Sequence, residues 1–243
     1  MARSVVFLSA VRTAFGTQGG TLKDFNAQDL AVPTAVEAMR RAGVRPDQVD
    51  QVIYGNVLQS SLDAIYMARH VGLKAGIPQE VPALTVNRLC GSGFEAIASG
   101  AGQILLGEAK VCLVGGSEAM SMAPHVMFGL REGSKFGRPP VMKDLLWECL
   151  TDTYTGLPMA QTAEKLADLY KLTRVEVDEV AYQSQARWAA ADAAGRFDEE
   201  IIPFPIKTKK GTVEFRKDEH PRTQTTREIL AGLPPFFRKD GFI

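Results

Sequence analysis

Apolar and polar positions change their spacing in a regular way through the first 120 residues. Ser4–Ala10 is an apolar, β-branched run that predicts a first strand. Phe25–Gly43 follows a helical period: Leu30, Ala31, Ala35, Val36 and Met39 share one stripe, Pro33 lies near the first turn, and Gly43 is the stop. Val49–Val57 predicts a second strand. Leu62–Gly76 predicts a well-buried helix on the strength of Ile65, Met67, Ala68, Val71 and Leu73, although Gly72 inside it costs about 1 kcal/mol against alanine. Val81–Asn87, Phe94–Leu106 and Lys110–Gly115 then predict strand, helix and strand. This rhythm predicts an α/β fold, with helices layered on a central sheet.

From about Ser121 the texture changes. Ala123–Pro140 and Leu150–Pro158 are rich in Gly, Pro, Met and Ser or Thr and show no clear period. Gln161–Lys171 predicts a helix with Ala163, Leu166, Ala167 and Tyr170 on one face. Arg174–Ala194 predicts a longer one, opened by the capping box Thr173-Arg174-Val175-Glu176 and closed by Gly195. Ile201–Ile206 and Gly211–Phe215 predict two short strands around Lys207–Lys210, and Thr225 with Glu228 predicts another capping box before a short helix ended by Pro234-Pro235. The pattern divides the chain into a core domain, 1–120, and a mixed, loop-rich α/β insertion, 121–243, with no internal repeat.

Composition narrows the function classes. Apolar residues make up 45% and charged residues 23%, with Lys plus Arg equal to Asp plus Glu at 28 each, so no basic field points to nucleic acid. No apolar run approaches the roughly 20 residues of a membrane span. The start, Met1-Ala2-Arg3-Ser4 before Val5-Val6-Phe7-Leu8, has too short an apolar core for a secretory signal. Cys90, Cys112 and Cys149 are far apart and odd in number, which fits neither a disulfide framework nor a metal site and points to a reducing, cytoplasmic compartment.

Candidate chemistry concentrates in Val86-Asn87-Arg88-Leu89-Cys90-Gly91-Ser92-Gly93-Phe94, which places a cysteine at a strand-to-helix corner. A sharp turn there projects the side chain, as in a nucleophile elbow. The partial positive charge of a helix N-terminus favours thiolate over thiol, and main-chain N–H groups can stabilise the oxyanion of a thioester under attack. Gly91 and Gly93 remove side chains where the backbone turns or a substrate approaches. Cys112, within an apolar strand, and Cys149, just after Trp147, read as structural.

Asn87-Arg88-Leu89-Cys90-Gly91-Ser92-Gly93 resembles the thiolase nucleophile signature, and the resemblance extends over essentially the whole chain. It takes in Ser9-Ala10-Val11-Arg12-Thr13, Gly55-Asn56-Val57, Gly115-Gly116-Ser117-Glu118-Ala119-Met120-Ser121, Thr162-Ala163-Glu164, and Asp218-Glu219 with Arg222. It implies a thiolase-like layered αβα domain with an inserted loop domain. The implied activity is an acyltransferase that forms or cleaves 3-ketoacyl-CoA, of the acetoacetyl-CoA class, through an acyl thioester on Cys90. Coenzyme A and acyl-CoA enter as substrates, with no permanently bound cofactor and no metal. By the same resemblance Leu150, Met159, Arg222 and Phe237 line the CoA site, an Arg suiting phosphate or adenine and Met, Leu and Phe the aliphatic arm. Pro158 departs from the pattern, standing where many short-chain members carry a histidine.

The resemblance further implies a homodimer or tetramer, paired through Val81–Asn87. It also implies later blocks reading Asn-Glu-Ala-Phe, Gly-His-Pro and Cys-Gly-Gly-Gly, which supply an asparagine-held water, an activating histidine and a second cysteine. None occurs in the 243 residues. The expectation is therefore an N-terminal half, short of one strand of its core domain and of the C-terminal thiolase domain. Two function classes stand: an enzyme completed by a separate C-terminal half, or a non-catalytic fragment that binds CoA or associates with such a partner. A related ketoacyl synthase is disfavoured by Gly91-Ser92-Gly93 after the cysteine and by the long insertion after Met120.

Overall fold

The computed structural model describes residues 4–243. Its elements run α1 (Ala27–Ala42), β1 (Gln51–Gly55), α2 (Met67–Lys74), β2 (Ala83–Val86), α3 (Ser92–Leu106), β3 (Cys112–Gly116), β4 (His125–Met127), β5 (Met142–Asp144), α4 (Leu145–Cys149), β6 (Thr151–Asp152), β7 (Leu157–Pro158), α5 (Met159–Tyr170), α6 (Arg174–Ala193), β8 (Phe204–Thr208), β9 (Gly211–Phe215) and α7 (Arg227–Ala231). They form two compact units. One comprises the described residues up to Pro124 with Glu199–Glu219, the other His125–Asp198 with His220–Ile243.

The first unit is built on a parallel sheet of order β2-β1-β3, in which Val52 pairs with Ala83 on one side and Leu113 on the other. Alternation along β1 sends Val52 and Tyr54 into a core shared with α1 and α2, where Met67 and Val71 are fully buried. Ile53 points to the opposite face, on which α3 packs; there Cys112 Sγ lies 3.6 Å from the Gly100 carbonyl oxygen. The expected αβα layering is thus present, with helices on both faces of one sheet.

Local signals explain most of these elements. Asn26 caps α1 by accepting from Gln28 N and Asp29 N, while Asp29 closes the capping box. Two details differ from expectation. Pro33 lies within α1 rather than near its start, and Val36, placed on the apolar stripe, is 45% exposed. The predicted helix from Leu62 begins only at Met67, after a 3₁₀ turn at Ala64–Tyr66, and Ile65 and Leu73 remain exposed because the sheet-facing stripe is Met67, Ala68 and Val71.

Ser4–Ala10 is not a strand. Apart from the isolated bridge Arg12 to Ile201, no ladder partner accompanies this segment among the described residues, and Val6, Phe7 and Leu8 are exposed. A β-branched run supplies the propensity, but a strand also needs a neighbour to take its backbone groups. Residues Met1–Arg3 of the expected start lie outside the described residues.

The hairpin β8–β9 groups with the α/β unit, whereas a division at residue 121 assigns it to the insertion. An apolar contact accounts for this: Phe204 is buried against Leu22 and Leu30, and its ring meets Phe25 edge-on at 4.9 Å. Arg12 adds a polar tie, bonding Glu200 at 2.7 Å and the buried Asp218 at 2.8 and 3.1 Å.

In the second unit the irregular stretches hold two small antiparallel pairs, β4–β5 and β6–β7. The capping box of Thr173 and Glu176 opens α6 as expected. The helix after it starts one residue later than its predicted box. Thr226, not Thr225, caps α7 by accepting from Ile229 N at 3.2 Å, while Thr225 Oγ1 donates to the Arg222 carbonyl at 2.7 Å. Among the described residues no helix is long and apolar enough to cross a membrane.

Candidate active site

Cys90 stands between β2 and α3, at the carboxyl end of the parallel sheet, where ligands bind in open α/β folds. Several hydrogen bonds shape the corner. Asn87 Oδ1 accepts from Leu89 N at 3.0 Å, Gly91 N donates to Arg88 O at 3.0 Å, and Ser92 N donates to Leu89 O at 2.9 Å. Ser92 Oγ fastens both sides of the turn, accepting from Arg88 N at 2.8 Å and donating to Leu89 O at 2.7 Å. To close this turn Leu89 adopts φ of 49°, a left-handed conformation that costs a non-glycine residue about 1 kcal/mol or more. The result is an exposed Cys90 side chain on a braced, strained corner.

The sheet brings the first turn of α3 unusually close. At Gly55, the last residue of β1, a Cβ would sit 2.5 Å from Ser92 C and O, so no side chain fits there. No side chain caps α3 at Gly91, and Glu95, the acidic residue of its first turn, is paired with Arg88, so the start of the helix lies beside Cys90 with its main-chain N–H groups uncapped. The other thiols differ. Cys112 is partly buried, and that burial, with the charge of Asp50, pushes its pKa up. Cys149 Sγ is directed at the Leu146 carbonyl, 3.1 Å away.

Beside the corner lies a carboxylate whose role the sequence reading passed over. Glu118 accepts from Val57 N at 2.9 Å, Leu58 N at 3.2 Å and Asn56 Nδ2 at 3.0 Å, and so holds the loop that follows β1. Burial pushes its pKa up against those three donors. Its block, Gly115–Ser121, was visible in the sequence. Its partners were not, because they are some 60 residues away.

The four expected CoA contacts all lie in the second unit. Two are adjacent: Leu150 follows α4, Met159 opens α5, and Met159 N donates to Leu150 O at 2.9 Å, with both side chains exposed. Arg222 is held separately, its N–H donating to Gln185 Oε1 on α6 at 2.7 Å while its side chain is exposed. Phe237 is half-buried, its ring edge-on to Phe236 at 5.1 Å and its N–H donating to the Ile243 oxygen at 3.1 Å.

A cysteine at a strand-to-helix corner, at the carboxyl end of a layered α/β sheet, defines the class of fold, and comparison with known proteins narrows it. Residues 5–243 match the family model described as thiolase, N-terminal domain, so the chain belongs to the thiolase family. It is 53% identical to the mitochondrial 3-ketoacyl-CoA thiolase of Homo sapiens over 241 residues, which is 99% of this chain and 61% of the relative. It is 42% identical to an acetyl-CoA acetyltransferase of Syntrophomonas wolfei over 245 residues, all of this chain and 61% of that protein. The crystal structure of the human mitochondrial enzyme in complex with CoA superposes with a TM-score of 0.91, covering 97% of this chain and 59% of that one. The acetyl-CoA acetyltransferase of Bacillus anthracis, 44% identical, superposes at 0.92 over 98% of this chain and 60% of its own. The chain thus spans about three fifths of the length of the relatives it matches.

Proposed function

We propose that this chain carries the acyl-accepting half of a thiolase reaction, with Cys90 as nucleophile and acyl-CoA as donor. The observation that carries the reading is the exposed Cys90 on the strained Leu89 corner at the start of α3. In the first half-reaction the Cys90 thiolate attacks the thioester carbonyl carbon, a new carbon–sulfur bond forms, and the tetrahedral intermediate collapses with loss of the CoA thiolate, which takes up a proton. The main-chain N–H groups and the helix dipole at α3 supply positive potential for the oxyanion. Leu150, Met159 and Phe237 present apolar surface for the pantetheine arm, and Arg222 a guanidinium for phosphate. Forming or cleaving 3-ketoacyl-CoA, with acetoacetyl-CoA as the reference substrate, completes the cycle through the acyl thioester on Cys90.

Incubation with acetyl-CoA followed by mass spectrometry tests this. A single acetyl adduct on Cys90, absent in Cys90→Ala, supports the reading; acetylation of other residues at the same rate, or none at all, defeats it.

A specific observation also favours dependence on a partner. On α3, Phe94, Ile97, Leu105 and Leu106 are all exposed, more apolar surface than one helix ordinarily leaves to water. A second copy of the chain or a separately encoded C-terminal thiolase half would cover it, and the non-catalytic alternative is a fragment that only binds CoA or such a partner. Turnover of acetoacetyl-CoA that appears only when the second half is added supports the split enzyme; self-association seen by sedimentation supports the homo-oligomer. The three free cysteines suit a reducing compartment such as the cytoplasm.

A further inference from the structure

We propose that Glu164 is a positioning residue that sets the place of Phe237, and with it the geometry of the CoA arm; this rests on the reading of Met159 and Phe237 as CoA contacts. Glu164 lies on α5, the helix that Met159 opens, yet its side chain is almost fully buried, where a carboxylate is costly unless it is bonded. Its bonds go to the chain segment that carries Phe237. Oε1 accepts from Phe242 N at 2.7 Å and Ile243 N at 2.8 Å. The Ile243 oxygen in turn accepts from Phe236 N at 2.8 Å and Phe237 N at 3.1 Å, so residues 236–243 close into a loop whose far end the carboxylate grips.

Two further features mark this as a fitted clasp. Oε2 lies 3.1 Å from Arg238 Nη2, and Arg238 bonds Asp168, one turn along α5, at 3.0 Å. Gly241 presses against the carboxylate: a Cβ there would collide with Oε1 and lie 2.7 Å from Cδ. A buried acceptor, two convergent amides, a guanidinium and a glycine that makes room tie the helix of Met159 to the segment of Phe237. The distance between the two apolar contacts is thereby set by the Glu164 side chain, which joins α5 to the main-chain amides of that segment.

Calorimetric titration of the full chain with CoA, paired with melting temperature, decides the matter. Phe237→Ala tests the underlying reading: unchanged affinity removes Phe237 from the CoA site and the proposal with it. If Phe237→Ala weakens binding, Glu164→Ala should weaken it comparably, by about tenfold. Glu164→Gln, which keeps the acceptor for both amides, should restore most of the affinity. Gly241→Ala, which pushes a methyl group against the Glu164 carboxylate, should reproduce the loss in the parent but add little to Glu164→Ala, because the group it strikes is gone. Wild-type CoA affinity in both Glu164→Ala and Gly241→Ala, with only the melting temperature lowered, would overturn the clasp as a positioning device and leave it merely structural.

Discussion

The close approach of Gly55 to Ser92 makes one substitution unusually informative. In Gly55→Ala the new methyl group meets Ser92 C and O at 2.5 Å and Ser92 Cβ at 2.8 Å. Two of these atoms are main chain, so no rotamer change relieves the overlap; α3 must shift against β1 or the strand must bend. Overpacking of this kind costs about 1–3 kcal/mol, and rigid colliding atoms put it at the upper end. For a chain of this size about 3 kcal/mol lowers the melting temperature by roughly 6–12 °C, readable by scanning calorimetry. The same shift carries Ser92 Oγ, which ties Arg88 and Leu89 together, away from its partners. Cys90 then moves with the corner, and a displacement of about 1 Å is enough to slow acylation by about 10²-fold. Gly93→Ala is the control, because nothing lies within 4 Å of a Cβ at Gly93. Within α3 that change should leave stability unaltered or raise it by about 0.5–1 kcal/mol. If Gly55→Ala melts with the parent and acylates at the parental rate, or if Gly93→Ala loses as much stability, the packing account of the corner is wrong.

Other consequences are sharp enough to measure. Iodoacetamide should modify Cys90 well ahead of Cys112, whose thiol is partly buried with its pKa raised, and peptide mapping that finds equal rates would contradict the site assignment. Burial holds Glu118 above its ordinary value of 4.5, so across the window above that value the native state binds more protons than the unfolded one, and this group's contribution falls as pH rises through the window. Urea denaturation from about pH 4 to 7 should show that decline in the stability difference between the parent and Glu118→Gln; a difference that does not change with pH would refute it. Arg12→Met should destabilise by about 3 kcal/mol, since it leaves the buried Asp218 without its guanidinium partner, and a cost under about 1 kcal/mol would show that Phe204 packing alone seats the hairpin.

Reading the chain alone was sufficient for features whose causes are local. The period of Leu30, Ala31, Ala35 and Met39 marks α1, and the capping box at Thr173 marks the start of α6, because each rests on residues within a turn of one another. The position of Cys90 between a strand and a helix was legible for the same reason, and its block of neighbours carried the family. The sequence could not decide which of these elements finds a neighbour. Ser4–Ala10 has a strand's composition but no ladder among the described residues, and Val36 has a core residue's chemistry but faces water. Nor could it reveal contacts across long separations: Gly55 against Ser92, Glu118 on the loop after β1, Phe204 under α1, Glu164 on the amides of Phe242 and Ile243. Propensity and periodicity act over a few residues, whereas burial, desolvation and hydrogen-bond satisfaction are properties of the packed whole. The place of Cys90 was therefore written in the chain, and the bracing of its corner was settled only when the sheet, helix and loops came together.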